Sequence, residues 1–295
     1  RKQGMGDANF EQLFYRGRRQ IPARYPNFDA DDPYAGGWAY TDGEPIPMNQ
    51  NIEGEPKNRF TIRPEDLRVW ARPHEAMVFV FPRYNWWNNR LRVQSIDPAT
   101  REVITADNAS FPIRPGDRYY FYNVFEELDA PGEWYLDRGT SALYFYPPDG
   151  KSFSGEVVVP ALSSVVRVDG ANHVTFRGFT IEVGDGAGIE FHECEDCRLV
   201  GSVVRHTAGV GVEVRGGRRC GVIGNDIYDV GSHGVSLAGG DRERAADTRD
   251  LGDIIDGSVR AIGDRSRGNR DEFLAAAAND GVRSHHRRHF RPGEF

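Results

Sequence analysis

Hydrophobic residues in the second half of the chain recur at one constant spacing. The segments 165–187, 188–210 and 211–233 align without gaps, and a fourth copy begins at residue 234. Within each copy, apolar and polar residues alternate over short stretches bounded by Gly, Asn or Asp, which indicates short strands. Four apolar columns result, namely Val166/Ile189/Val212/Val235, Val168/Phe191/Val214/Leu237, Phe176/Leu199/Val222 and Ile181/Val204/Ile227.

Short strands at a fixed long period predict a parallel β-helix, an all-β fold in which each coil stacks about 4.8 Å from the previous one. Leucine-rich repeats have a comparable period, but their leucine and asparagine consensus is absent from this chain. We therefore predict three to four coils of about 23 residues over 151–242, with equivalent residues stacked in ladders. Cys197 and Cys220 share one column, so we expect them to be stacked, buried thiols.

The rest of the chain does not follow this period. Over 61–150, alternating apolar runs joined by turns at 97–101 and 137–141 predict an antiparallel β-rich module. Residues 1–60 are polar and aromatic with Gly and Pro, and we predict an irregular wrapping segment there. Residues 243–295 break the register and predict an irregular, loose tail, so we expect the β-helix to be an incomplete fragment.

The composition of this 295-residue chain limits the classes of partner that it can bind. Its 37 basic and 44 acidic residues give a net charge of −7, which provides no general attraction to nucleic acid or to an anionic membrane surface. The sequence has no apolar run long enough for a membrane helix. The chain has three cysteines, which excludes a disulfide scaffold. Cys194 and Cys197 have the spacing of half a zinc site, but the sequence lacks a second ligand pair at a suitable spacing, so we discount a zinc site there. We expect no metal and no cofactor.

Polar residues on two neighbouring coils predict a catalytic site. If Ile189 points inward, Glu190 and His192 point outward, and Glu213 and Arg215 do the same one coil later. Stacked carboxylates repel each other, which favours protonation of one of them. A neutral carboxylic acid beside an ionised one is the arrangement that retaining glycoside hydrolases use. We assign Glu190 as the acid and Glu213 as the nucleophile. The reverse assignment, and a merely solvated charged face, both stay open.

A second candidate site lies in the turn sequence YDVGSHGVSLAGGDR (228–242). Asp229 or Asp241 is a candidate general acid or base, with His233 beside them. His233 and Arg242 are candidate ligands for sugar hydroxyls or for the carboxylate of an acidic sugar. The alternative is ordinary turn chemistry, in which Asp caps the backbone and Gly supplies positive φ.

An aromatic patch in the front module is a candidate substrate-binding surface. Trp86 and Trp87 follow Tyr84 and stand among several asparagines. Sugars stack on aromatic faces and donate hydrogen bonds to amides. Packing inside the front module is the competing interpretation.

Several segments together resemble right-handed parallel β-helix carbohydrate-active proteins, most closely the family 141 glycoside hydrolases. They are FYRGRRQIPARYPNFDADDPYAGGWAY (14–40), FPRYNWWNN (81–89), LDAPGEWYLDRGTSALYFYPP (128–148) and YDVGSHGVSLAGGDR (228–242). The resemblance implies a right-handed helix, a poly- or oligosaccharide substrate and an extracellular or periplasmic location. The coils that the family has after Arg242 are replaced here by the tail.

We therefore predict a polysaccharide-degrading glycoside hydrolase that works through paired carboxylates. One alternative is a polysaccharide lyase with an arginine base, in which Glu190 and Glu213 would hold calcium. Lysine is excluded as the base in the coils because no lysine follows Lys151. A non-catalytic carbohydrate-binding protein is the other alternative. The sequence leaves the oligomeric state open.

Overall fold

The computed structural model describes residues 10–150 and 156–238, together with the backbone of 260–261. The chain divides into two compact units, Arg1–Val159 and Pro160–Phe295. The predicted tail over 243–295 and two candidate site residues, Asp241 and Arg242, lie outside the described residues, apart from a two-residue strand at 260–261. Among the residues described, no helix has the length and apolarity needed to cross a membrane.

The first unit is built from thirteen short strands and three 3₁₀ turns in its described part. The strands are β1 (Phe14–Tyr15), β2 (Arg18–Arg19), β3 (Ile21–Pro22), β4 (Arg24–Tyr25), β5 (Ala39–Asp42), β6 (Arg59–Ile62), β7 (Met77–Val80), β8 (Asn89–Asp97), β9 (Glu102–Thr105), β10 (Arg118–Tyr122), β11 (Glu133–Asp137), β12 (Ala142–Phe145) and β13 (Val157–Val158). The 3₁₀ turns are Pro64–Asp66, Pro73–Glu75 and Phe125–Glu127.

Six of these strands close into an antiparallel barrel in the order β10-β5-β6-β9-β8-β7, because β7 pairs back with β10. The side chains alternate between the barrel interior and the outside, as the period of a strand requires. On β10, for example, Tyr119 and Phe121 are fully buried whereas their neighbours are not. This confirms the predicted antiparallel module, and it shows the module to be closed.

The segment over 1–60, for which we predicted an irregular wrapping structure, contains several short strands in its described part, separated by stretches without regular structure. β5 and β6 are members of the barrel, and β4 pairs with the end of β10. Two- to four-residue strands leave almost no periodic signature in a sequence. Their partners lie far along the chain, as in the pairing of Ala39 with Tyr119, so local pattern gives no sign of them.

The second unit is a β-solenoid with three strands in each coil. Its strands are β14 (Ser164–Asp169), β15 (Thr175–Arg177), β16 (Thr180–Gly184), β17 (Ala187–His192), β18 (Arg198–Val200), β19 (Val203–Thr207), β20 (Val212–Arg215), β21 (Gly221–Ile223), β22 (Asp226–Val230), β23 (Val235–Ala238) and β24 (Arg260–Ala261). They form three parallel sheets, which are β14-β17-β20-β23, β15-β18-β21 and β16-β19-β22-β24.

The register of these sheets confirms the predicted length of the repeat. Ile189 pairs with Val166 on one side and with Val212 on the other, and Val212 pairs in turn with Val235. The predicted columns line the interior of the solenoid, where Ile189, Leu199 and Val212 have no exposed surface. The exception is Leu237 in the last described coil, which is 38% exposed. The three cysteines are also buried and unpaired, as predicted for the stacked pair.

The backbone repeats with the same period at the corners of the coils. Four corner positions have positive φ in three successive coils, which are 170/193/216, 173/196/219, 178/201/224 and 183/206/229. Glycine fills all three places at 178/201/224, where a left-handed conformation disfavours other residues. Another turn is held by Asn225, whose Nδ2 donates to Leu199 O at 2.9 Å and whose Oδ1 accepts from Ser202 N at 2.8 Å.

Candidate functional site

The outer face of the first solenoid sheet gathers four of the predicted site residues. Glu190 pairs in register with Glu213, and His192 pairs with Arg215. Their neighbours Ile189 and Phe191 are buried in the core, so the intervening side chains point outward. We call Glu190, His192, Glu213 and Arg215 the ledge.

The two ledge carboxylates are close together and partly shielded from solvent. Carboxylate oxygens of Glu190 and Glu213 and a ring nitrogen of His192 all lie within 4.8 Å of one another. The side chains of Glu190 and Glu213 are only 15% and 12% exposed. The two carboxylates that the sequence predicts to be stacked thus lie next to each other.

The two carboxylates differ in their cationic neighbours. Arg215 donates from Nε to Glu213 Oε1 at 2.8 Å, and its NH2 lies 2.7 Å from the same oxygen. Among the described residues, the cationic neighbours of Glu190 are farther away, with His192 Nε2 at 3.6 Å and Arg167 NH1 at 4.0 Å. Glu213 therefore accepts a charge-assisted hydrogen bond from a guanidinium, whereas these contacts of Glu190 are too long for hydrogen bonds.

Two residues of the preceding coil extend the ledge, and the sequence analysis missed them. Arg167 pairs in register with Glu190, and Asp169 with His192. Arg167 Nε donates to Asp169 Oδ2 at 2.9 Å, and this hydrogen bond lowers the pKa of Asp169. The repeat spacing could have identified both residues, because Arg167 precedes Glu190 by one repeat and Asp169 precedes His192 by the same distance.

In its described part, the predicted turn cluster is divided, because Asp229 and His233 contact different residues. Asp229 lies at the positive-φ corner of β22, and its Oδ2 is 3.2 Å from His206 Nε2 one coil earlier. His233 is exposed, and its Nδ1 lies 2.8 Å from Ser232 Oγ. His206 was missed as the partner of Asp229, although the two residues lie one repeat apart in the sequence.

Asp229 and His206 belong to a polar group on the third solenoid sheet. Arg205 Nε donates to Glu182 Oε2 at 2.6 Å, and Arg205 NH1 donates to Tyr228 Oη at 3.0 Å. These two acceptors raise the pKa of the Arg205 guanidinium. The group is thus a set of charge-paired side chains that links three coils.

The predicted aromatic surface lies in the first unit, in the loop between β7 and β8. Trp86 and Trp87 are 75% and 61% exposed, so the alternative of core packing is excluded for them. Tyr84 supports Trp86 at a centroid distance of 5.3 Å and packs edge-on against Phe111 at 4.9 Å. The indole of Trp86 thus packs on an aromatic base that Tyr84 and Phe111 form.

Comparison with known proteins identifies the fold of the second unit. A family model described as "Right handed beta helix region" matches residues 164–248. No curated protein matches the chain. A solved structure titled "Glycoside hydrolase" has a TM-score of 0.59 and 14% sequence identity, and the alignment covers 77% of this chain and 55% of that chain. The chain therefore spans about half the length of that structure.

A tailspike of Pseudomonas phage phi297 was also found, with a TM-score of 0.20 and 12% identity. The alignment covers 59% of this chain and 32% of the tailspike chain, and at this score it supports no conclusion. The chain thus contains a right-handed β-helix region in its second unit, and its fold is similar to that of the structure titled "Glycoside hydrolase".

Proposed function

We propose that this protein is a glycoside hydrolase that cleaves poly- or oligosaccharides at the ledge. The observation that carries the proposal is the pair of half-buried carboxylates, Glu190 and Glu213, whose oxygens come within 4.8 Å. Retaining glycoside hydrolases place their two carboxyl groups roughly 5–5.5 Å apart, whereas inverting enzymes need a wider gap for a water molecule. The resemblance to the family 141 glycoside hydrolases supports the same substrate class.

In this proposal, Glu213 is the nucleophile and Glu190 the general acid. Arg215 donates a hydrogen bond to Glu213 and so orients this carboxylate for attack on the anomeric carbon. Glu190 has no such close cation among the described residues, and in this proposal it donates a proton to the leaving oxygen. After the glycosyl-enzyme forms, Glu190 would take a proton from the attacking water.

A polysaccharide lyase with an arginine base is less well supported. An arginine base must lose its proton, but Glu213 raises the pKa of Arg215 and the partners of Arg205 raise the pKa of that residue. Both guanidiniums are therefore stabilised in their charged form.

Incubation with a panel of plant and microbial polysaccharides tests the proposal. We expect new reducing ends without the ultraviolet absorbance of unsaturated sugars, which a lyase would produce. Glu213→Gln and Glu190→Gln should each lower kcat by about 10²-fold or more. Glu182→Gln is the matched control on another sheet. Reducing-end release that survives both ledge substitutions would refute the assignment. If it depended instead on Asp229 or His233, the turn residues would be the catalytic ones.

We propose that Trp86 and Trp87 bind carbohydrate on the first unit. Affinity electrophoresis in gels containing soluble polysaccharide measures this without catalysis. Trp86→Ala and Trp87→Ala should abolish the retardation, whereas Tyr34→Ala, which removes an aromatic ring 61% exposed elsewhere, should not. We also propose an extracellular or periplasmic location, which fractionation of the source cells would test.

A further inference from the structure

We propose that Glu190, His192 and Glu213 form a binding site for one divalent cation of the Zn²⁺ type. Their ligand atoms already lie within 4.8 Å of one another, and His192 Nε2 is 3.6 Å from Glu190 Oε2. Ligand atoms around a tetrahedral zinc with bonds of about 2.0–2.1 Å are roughly 3.3 Å apart. Small rotations of the side chains would close the site, since the paired strands β17 and β20 fix their Cα positions.

An independent observation points to a ligand at this place. His192 Nε2 has almost no accessible surface, although the side chain as a whole is 24% exposed, and it has no hydrogen-bond partner among the described residues. It lies 3.6 Å from Glu190 Oε2. Buried polar atoms in folded proteins nearly always have a partner. A cation between Nε2 and the two carboxylates would supply it.

The other ring nitrogen of His192 has the neighbour that metal-binding histidines usually have. Its Nδ1 lies 3.6 Å from Asp169 Oδ1, and Asp169 is held in turn by Arg167. In metal sites, a carboxylate that receives the second N–H fixes the tautomer and the orientation of the ring. Asp169 is therefore placed as a positioning residue for His192.

The donor set selects the class of cation. One imidazole nitrogen with two carboxylates suits Zn²⁺, whereas Ca²⁺ and Mg²⁺ take six or more oxygens. Three protein ligands leave a fourth position for water or for a sugar hydroxyl. Arg215 and Arg167 next to the carboxylates oppose the cation, so removal of Arg215 should tighten binding.

Only one consequence of this inference, the inhibition of hydrolysis by Zn²⁺, rests on the proposed function. Carboxylates that hold Zn²⁺ cannot serve as acid and nucleophile at the same time, so Zn²⁺ would inhibit the proposed hydrolysis. Binding is measured without substrate, and it can therefore succeed or fail whatever the protein hydrolyses.

Isothermal titration of the full chain with ZnCl₂ near neutral pH tests the site. We expect one equivalent of Zn²⁺ to be lost in His192→Ala, and weakening by roughly 10-fold or more in Glu190→Gln and Glu213→Gln. Asp169→Asn should weaken binding by about 10- to 100-fold. Arg215→Gln should raise the affinity for Zn²⁺, an effect that a general loss of structure would not produce.

Matched controls separate the ledge from other histidines and acids. His173→Ala, which removes an imidazole 75% exposed, and Glu102→Gln in the first unit should leave the equivalent unchanged. The protein should also still bind one equivalent of Zn²⁺ when the histidines of the HHRRH sequence (285–289) are replaced by alanine. Co²⁺ should give a tetrahedral visible spectrum in the wild type and lose it in His192→Ala. Absence of binding to the wild type, or binding unaffected by His192→Ala, would overturn the proposal.

Discussion

Truncation of Leu199 tests the stacking of coils on which the ledge depends. Leu199 has no exposed surface and pairs in register with Phe176 in one direction and with Val222 in the other. Parallel strands hold these neighbours in place, so the gap left by Leu199→Ala can collapse only in part. Buried Leu→Ala changes cost about 3–5 kcal/mol when the site relaxes incompletely. That is a large share of the roughly 5–15 kcal/mol that stabilises a typical domain.

The assay can separate the two units because all five tryptophans precede residue 160. Thermal unfolding followed by far-ultraviolet circular dichroism should show the solenoid melting about 12 °C or more lower in Leu199→Ala. Tryptophan fluorescence should report an unchanged first unit. The matched control is Val200→Ala, on the opposite face of the same strand, with a cost below about 1 kcal/mol. Equal effects of the two substitutions would refute the stacking argument.

Three further predictions concern buried polar groups. Burial raises the pKa of Asp117 from 3.8 to about 6, so in that window the native protein keeps a proton that the unfolded chain has released. The stability of the first unit, measured by fluorescence in urea, should fall as pH rises from about 4 to 6. Asp117→Asn should flatten this dependence, and an unchanged slope would contradict it. Arg114 makes a bidentate salt bridge with Glu55, with both contacts at 2.7 Å, and is 2% exposed, so Arg114→Ala should cost about 3–5 kcal/mol in the same assay. Arg114→Lys should restore little of this because an ammonium cannot form the paired contact. Arg59→Ala, at an exposed pair, is the control with an expected cost below about 1 kcal/mol. A thiol reagent should modify no cysteine in the native protein and all three in urea, because Cys194, Cys197 and Cys220 are all buried. Burial also raises the pKa of the Cys194 and Cys220 thiols, which further lowers their reactivity. Rapid native modification would place a thiol at the surface.

The sequence alone determined the solenoid, its register and the composition of the ledge. All three follow from the constant length of the repeat. Where the repeat holds, each residue lies beside the equivalent residue of the next coil. The adjacency of Glu190 and Glu213 followed from arithmetic on that spacing. Arg167 and Asp169 would have followed from the same step taken one coil earlier.

Tertiary structure alone decided the closure of the barrel and the pairing of the polar groups. The barrel closes when β10 pairs with both β5 and β7, and such contacts between distant segments have no local pattern. Asp229 meets His206 rather than His233, because ladder neighbours across coils are closer than sequence neighbours that point in other directions. A repeat encodes which backbones become neighbours, but the direction and burial of each side chain depend on packing, which only the folded chain defines.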